Sequence, residues 1–193
     1  MTNIIYLHGF LSSPQSLKAQ QTLAFAKRHY PALNIYTPQL SGDIHKAIAR
    51  VEAIIATLGQ QPLRFIGSSM GGFLSTYFVE TWQAKRDAKA VVVNPAVEPY
   101  HLLADYMGEH INPHSQEQFF IHNGSIAALH RYDKKSIVKP YNYKVLLQTD
   151  DETLDYRLAQ TKYQGADMTI EQGGDHSFVD YERHLPDIFR FLR

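Results

Sequence analysis

The chain has 193 residues, 44% of them hydrophobic and 12% aromatic, enough for a single domain whose core needs no disulfide or structural metal. Lys plus Arg and Asp plus Glu both number 19, so the formal charge is zero and nothing in the balance points to nucleic acid or an anionic membrane surface as partner. Cysteine is absent, which excludes a disulfide framework, a thiolate nucleophile and a Cys-built metal site.

The first residues, MTNIIYLHGF, lack the basic region and long apolar core of a signal peptide, and the expected location is the cytoplasm. Residues 3–7 form an Ile-rich apolar run ending at His8-Gly9, which predicts a buried strand. Ser13 followed by Pro14 predicts a helix start, with Ala19, Leu23, Ala26 and Tyr30 on one face and Pro31 as the stop. Residues 34–36 form a short strand candidate before Pro38. A second helix opens after 41–43 and carries Ile44, Ala47, Ile48, Val51, Ile55 and Leu58 as an apolar stripe, ended by Gly59. A third strand is predicted at 63–66, a helix at 70–81 and a fourth strand at 89–93. That strand contains the longest aliphatic run, AVVV, far too short to span a bilayer. A fifth strand at 144–148, a helix over about 155–163, a sixth strand at 168–171 and a helix around 183–192 complete the chain.

Short strands alternating with helices predict an α/β fold, a mostly parallel central sheet of about six strands flanked by helices, in one domain over residues 1–193. Runs such as "AVVV" and "VLL" suit strands covered on both faces. Residues 95–140 break the rhythm. They hold five of the ten histidines, with Tyr100, Tyr106, Phe119, Phe120 and Tyr132, and are expected to form a cap over a site. His110 and His114 stand four apart, but Pro113 intervenes and no further ligand cluster accompanies them. They read as part of a polar, aromatic-lined cap, with no metal or other cofactor expected.

The stretch "GSSMG" at 67–71 is a G-x-S-x-G between a strand and a helix. That context predicts a turn so sharp that Ser69 is held in strained backbone with its Oγ exposed, flanked by Gly67 and Gly71 because Cβ atoms there would collide. Gly72 would let the helix approach the sheet closely. A serine nucleophile needs a base, and the base needs an orienting acid. His176, in "GGDHSF" after the last strand, lies on a loop at the edge where α/β sites assemble. The acid is expected among Asp150, Asp151, Glu152 and Asp155 after the fifth strand. Asp155 also suits a helix cap, Asp175 is too close in sequence to meet its neighbour, and Asn94 cannot be anionic. Gly9 lets the backbone approach closely, so the Phe10 N–H can pair with that of Met70 as an oxyanion hole. His8 reads as a structural hydrogen-bonding residue.

These segments, together with "VVVNPAV" at 91–97 and "HGF" with "SSP" at 8–14, resemble the YqiA-type bacterial esterases, small α/β-hydrolases, through nearly the whole chain. The resemblance implies a metal-free serine esterase for short-chain acyl esters, with acyl thioesters as an alternative substrate. It places the nucleophile on Ser69, the base on His176 and the acid on Asp151, although Asp150 replaces the Gly that precedes the acid in the family. The family has Asn after His-Gly-Phe where this chain has Leu11. Two other readings share the sequence: an acyl-CoA thioesterase, with Lys134, Lys135 and Lys139 for phosphates, and a non-catalytic binding module on a hydrolase scaffold.

Overall fold

The computed structural model describes residues 3–193. Six strands, β1 (Asn3–Leu7), β2 (Asn34–Tyr36), β3 (Leu63–Ser68), β4 (Ala88–Val93), β7 (Tyr143–Gln148) and β8 (Asp167–Glu171), form one sheet in the order β2-β1-β3-β4-β7-β8. Every pairing in it is parallel. The chain leaves β1 toward the β2 edge and returns to β3 on the other side. The C-terminal ends of β1 and β3, where Leu7 pairs with Gly67, therefore mark the point of reversal, where α/β sheets open a crevice.

Alternation along the strands divides the core. Ile5, Leu7, Phe65, Ala90, Val92, Val145 and Leu147 face α2 (Ile44–Thr57) and α3 (Met70–Trp82). Ile4, Tyr6, Ile66, Val91, Val93 and Leu146 face α1 (Leu17–His29) and α7 (Leu185–Leu192). Both sheet faces are thus covered, which is why these strands read as unbroken apolar runs. Among the described residues no helix is long and apolar enough to cross a membrane.

Two expectations shift. The first helix begins at Leu17, not at Pro14, because the Ser16 N–H bonds to the Ser13 carbonyl and the Gln15 N–H to the Ser13 hydroxyl, closing a turn over residues 13–16. The third strand runs on through Gly67 to Ser68, because Gly67 pairs with both Leu7 and Val92.

Residues between β4 and β7 fold into α4 (Pro99–Leu103), an antiparallel hairpin of β5 (Gly108–Ile111) and β6 (Gln118–Ile121), and α5 (Asn123–Tyr132). His110 lies in β5 and His114 in the hairpin turn, so they do not share a helical face. His110 instead bonds to the Tyr106 carbonyl and stacks on Phe119. The hairpin is anchored to the main body. Glu117 accepts from the Ser41 hydroxyl and the Gly42 N–H, and Asn112, 1% exposed, donates to the Ser12 carbonyl. The Phe119 ring fills the space that a side chain on Gly42 would need. Chain resumes in α6 (Tyr156–Lys162), capped by Asp155, whose carboxylate accepts the Arg157 N–H.

Phe189 of α7 is fully buried and stacks on Tyr30 with ring centroids 5.3 Å apart. Phe189→Ala is expected to lower stability by about 3–5 kcal/mol, read as a lower urea midpoint at an unchanged slope.

Candidate active site

The strand–turn–helix at 63–82 is set by backbone contact. A Cβ on Gly67 would strike the Gly71 carbonyl, one on Gly71 would strike the Leu7 carbonyl, and one on Gly72 would come within 2.6 Å of Pro95. Only glycine lets α3 sit this close to β1 and β4. Ser69, at the top of the turn, takes φ 55° and ψ −121°, a region that costs a non-glycine residue roughly 1–3 kcal/mol. Its backbone is held on both sides. The N–H donates to the Val93 carbonyl at 3.1 Å, and the carbonyl accepts from Gly72, Phe73 and Ala96.

The side chains that the sequence singled out meet here. Ser69 Oγ donates to His176 Nε2 at 3.0 Å, and His176 Nδ1 donates to Asp151 Oδ2 at 2.9 Å and Oδ1 at 3.0 Å. The Asp151 side chain is 2% exposed, and its Oδ1 also accepts the N–H groups of Thr153 and Leu154. Asp150 is exposed and turns to the Thr149 hydroxyl, so of the two neighbouring aspartates it is Asp151 that meets the imidazole. Asp175 bonds to the Ser177 hydroxyl and points away from its neighbour's ring.

The two expected oxyanion donors flank the serine. Gly9 lies so close that a Cβ there would stand 3.3 Å from Ser69 Cβ. Neither the Phe10 N–H nor the Met70 N–H donates to another group among the described residues. Met70 opens α3, so its N–H belongs to the free first turn of a helix whose dipole favours negative charge. The Phe10 ring is wedged edge-on between Tyr106 and Phe119, tying this segment to the insertion.

Several residues holding the site give no signal in sequence. The loop that carries His176 has its backbone bonded by side chains from elsewhere. Asn94, 2% exposed, donates to the Asp175 and His176 carbonyls and accepts the Gln148 N–H. Gln148, 3% exposed, accepts the N–H groups of Asp175 and Val179 and donates to the Val179 carbonyl. Glu152 accepts the His176 N–H, Thr149 accepts that of Gly173, and Lys18 donates to the Ser177 carbonyl. Such contacts depend on where strand ends meet in space, which no local pattern encodes.

Two cavities share the lining residues His8, Gly9, Phe10 and Leu11. One, of about 30 Å³, is apolar and closed by Leu40, Ile44, Leu74, Leu103 and Leu129 beside Met70. The other, of about 440 Å³, contains Ser69 and His176 with Ser16, Lys18, Tyr106 and Glu152. Lys134, Lys135 and Lys139 line neither. Lys135 pairs with Asp133 at 2.7 Å, and Lys134 lies over the Tyr77 ring. Among the described residues no group of three or more His, Asp or Glu side chains gathers as a metal site.

The architecture is that of the α/β-hydrolases, and solved members superpose along its length. Alpha/beta hydrolase domain-containing protein 10 from mouse matches with a TM-score of 0.71 at 16% identity, covering 100% of this chain and 91% of that one. Est1E from Butyrivibrio proteoclasticus, solved with ferulic acid bound, matches at 0.72 and 10% identity over 99% and 88%. The esterase RhEst1 from Rhodococcus sp. ECU1013 matches at 0.62 and 17% identity over 99% and 90%. At these identities the likeness is one of fold. Within that class the chain belongs to the uncharacterised protein family UPF0227, whose model matches residues 3–193 and which is the YqiA family that the motifs resemble.

His8 is 2% exposed, donates from Nδ1 to the Gly9 carbonyl and accepts the Leu40 N–H at Nε2, an arrangement that requires the neutral ring. Burial pushes its pKa below the ordinary 6.5, reinforced by His114 and opposed by the Gly9 bond. The unfolded chain therefore binds this proton more readily than the folded one. The contribution of neutral His8 is fully present above pH 6.5 and is lost as pH falls from there through the lower folded value. The melting temperature of the wild type is expected to drop more steeply below pH 6.5 than that of His8→Gln, which keeps an acceptor and does not titrate.

Proposed function

We propose that this protein is a serine esterase that hydrolyses short-chain acyl esters. The observation that carries the reading is the hydrogen-bonded chain from Ser69 Oγ through His176 to buried Asp151. Ser69 Oγ attacks the ester carbonyl carbon while His176 Nε2 takes its proton. Asp151 holds the Nδ1–H tautomer and stabilises the imidazolium. The carbonyl oxygen, now anionic, accepts from the Phe10 and Met70 N–H groups. The tetrahedral intermediate collapses, the C–O bond to the alcohol breaks, and His176 returns its proton to the departing alkoxide. Water, deprotonated by His176, then attacks the acyl-serine and releases the acid by the same steps. No metal or cofactor enters this scheme.

The acyl group fits the small apolar cavity beside Phe10 and Met70. Its 30 Å³ holds about two water-sized groups, in keeping with short chains. The insertion supplies Leu103 and Leu129 to that cavity and Tyr106 to the larger one, so we assign it the part of a cap. Of the lysines that would suit a CoA phosphate, Lys135 pairs with Asp133, Lys134 lies over Tyr77, and Lys139 lines neither cavity. The oxyester is therefore the reading we carry over the thioester.

Hydrolysis of p-nitrophenyl esters of increasing acyl length tests this scheme. Ser69→Ala is expected to lose about 10⁶-fold in kcat and Asp151→Asn about 10⁴-fold, whereas Asp150→Asn changes little. Equal rates for wild type and Ser69→Ala would rule out Ser69 as the nucleophile. In the same series Leu103→Ala is expected to move the preferred acyl chain to greater length by enlarging the apolar cavity, and an unmoved optimum would assign the acyl group elsewhere.

A further inference from the structure

The larger cavity holds a cation that the proposed chemistry does not use. Lys18, on the first turn of α1, lines it together with Ser69 and His176. Its ammonium donates to the Ser177 carbonyl at 2.5 Å and forms no ion pair among the described residues. The carboxylates around it are already bonded to other donors. Asp151 serves His176 and two N–H groups, Asp175 serves the Ser177 hydroxyl, and Glu152 serves the His176 N–H. Two of the three Lys18 N–H donors are left without a partner among the described residues. A half-buried, unpaired ammonium is costly, and it is retained where something completes it.

Ser16, two residues earlier on the same cavity, has a buried Oγ beside the buried Tyr6 hydroxyl, so the free Lys18 N–H groups are the donors that await an acceptor next to Ser69. The acyl end belongs to the apolar cavity, so these donors face the alcohol portion of the substrate.

We propose that Lys18 forms a subsite for a carboxylate on the alcohol portion of the ester, an inference that rests on the esterase reading above. Its two free N–H donors match the two oxygens of one carboxylate. A phosphate monoester would bring nearly twice the charge into a cavity that also contains Glu152. The alcohol released is thus a hydroxy acid, and the neutral ester of the same alcohol is the poorer substrate.

The test compares 4-acetoxybenzoate with its methyl ester, which share the scissile bond and differ in the charge. In the wild type the ratio of kcat/KM, carboxylate over methyl ester, is expected to exceed one. In Lys18→Met it should fall by about tenfold or more, chiefly through KM. An unchanged ratio in Lys18→Met would overturn the subsite. So would a parallel loss on both esters, which would make Lys18 only a tether for the Ser177 carbonyl. If the wild type turned over neither ester, the esterase reading would be what failed. Titration of 4-hydroxybenzoate and methyl 4-hydroxybenzoate into wild type and Lys18→Met then decides the subsite alone. Tighter binding of the carboxylate by the wild type only supports it, and equal binding by both proteins overturns it.

Discussion

The carbonyl of Leu7, at the end of β1, meets the backbone of Gly71 where any side chain would occupy the same space. That contact draws the first turn of α3 onto the end of the neighbouring strand, and the geometry of Ser69 follows from it. With Gly67 likewise pressed against Gly71, the chain can pass from strand to helix only by putting residue 69 into the left-handed region. The strain is held by four backbone hydrogen bonds to Ser69. The same approach sets Gly9 against Ser69, and the N–H groups of the next residue, Phe10, and of Met70 have no partner among the described residues. Both donors are backbone groups, fixed by the same contacts that fix the turn.

The histidine is held by a different means. Its loop has positive φ at Gly173, Gly174 and Phe178 and forms no regular ladder, so its backbone groups need other partners. They find them in side chains at the ends of β4 and β7. A side chain on Gly174 would collide with the Gln148 amide, which shows how closely the loop is pressed onto that residue. Amides suit this role because each both donates and accepts and neither changes charge with pH. Ser69 is thus placed by sterics and His176 by hydrogen bonds.

What could be read in the sequence follows this division. The buried strands announce themselves because both of their faces are covered. The serine turn is legible because steric exclusion demands glycine at fixed spacing. Asp151 and His176 could be placed at strand ends, but the residues alone set apart only Asp155, as a helix cap, and left Asp150, Asp151 and Glu152 open until the resemblance favoured Asp151. What separates them is that residue 151 turns inward under two N–H groups while residue 150 faces water. The hairpin in the insertion was hidden for a related reason. Its β6 residues alternate exposed and buried, but Phe120 occupies an outward position and obscures the period. The parts played by Lys18, Asn94, Gln148 and Glu152 arise from contacts between distant segments.

The order of strands has a mechanical consequence. Phe10 and Ser69 ride on the half of the sheet built from residues 3–93, and Asp151 and His176 on the half built from 143–193. Within the sheet the two halves meet along one seam, the β4–β7 ladder, and α7 of the second half packs against β4 and Tyr30 of the first. Asn94 rivets the top of that seam. Its N–H goes to the Leu146 carbonyl, and its side chain bonds both to Gln148 and to the histidine loop. Shear along this ladder would change the distance between Ser69 Oγ and His176 Nε2, which lie on opposite sides of it. The long insertion leaves and re-enters the sheet across the same line, and its hairpin is tied back to the first half through Ser12, Ser41 and Gly42.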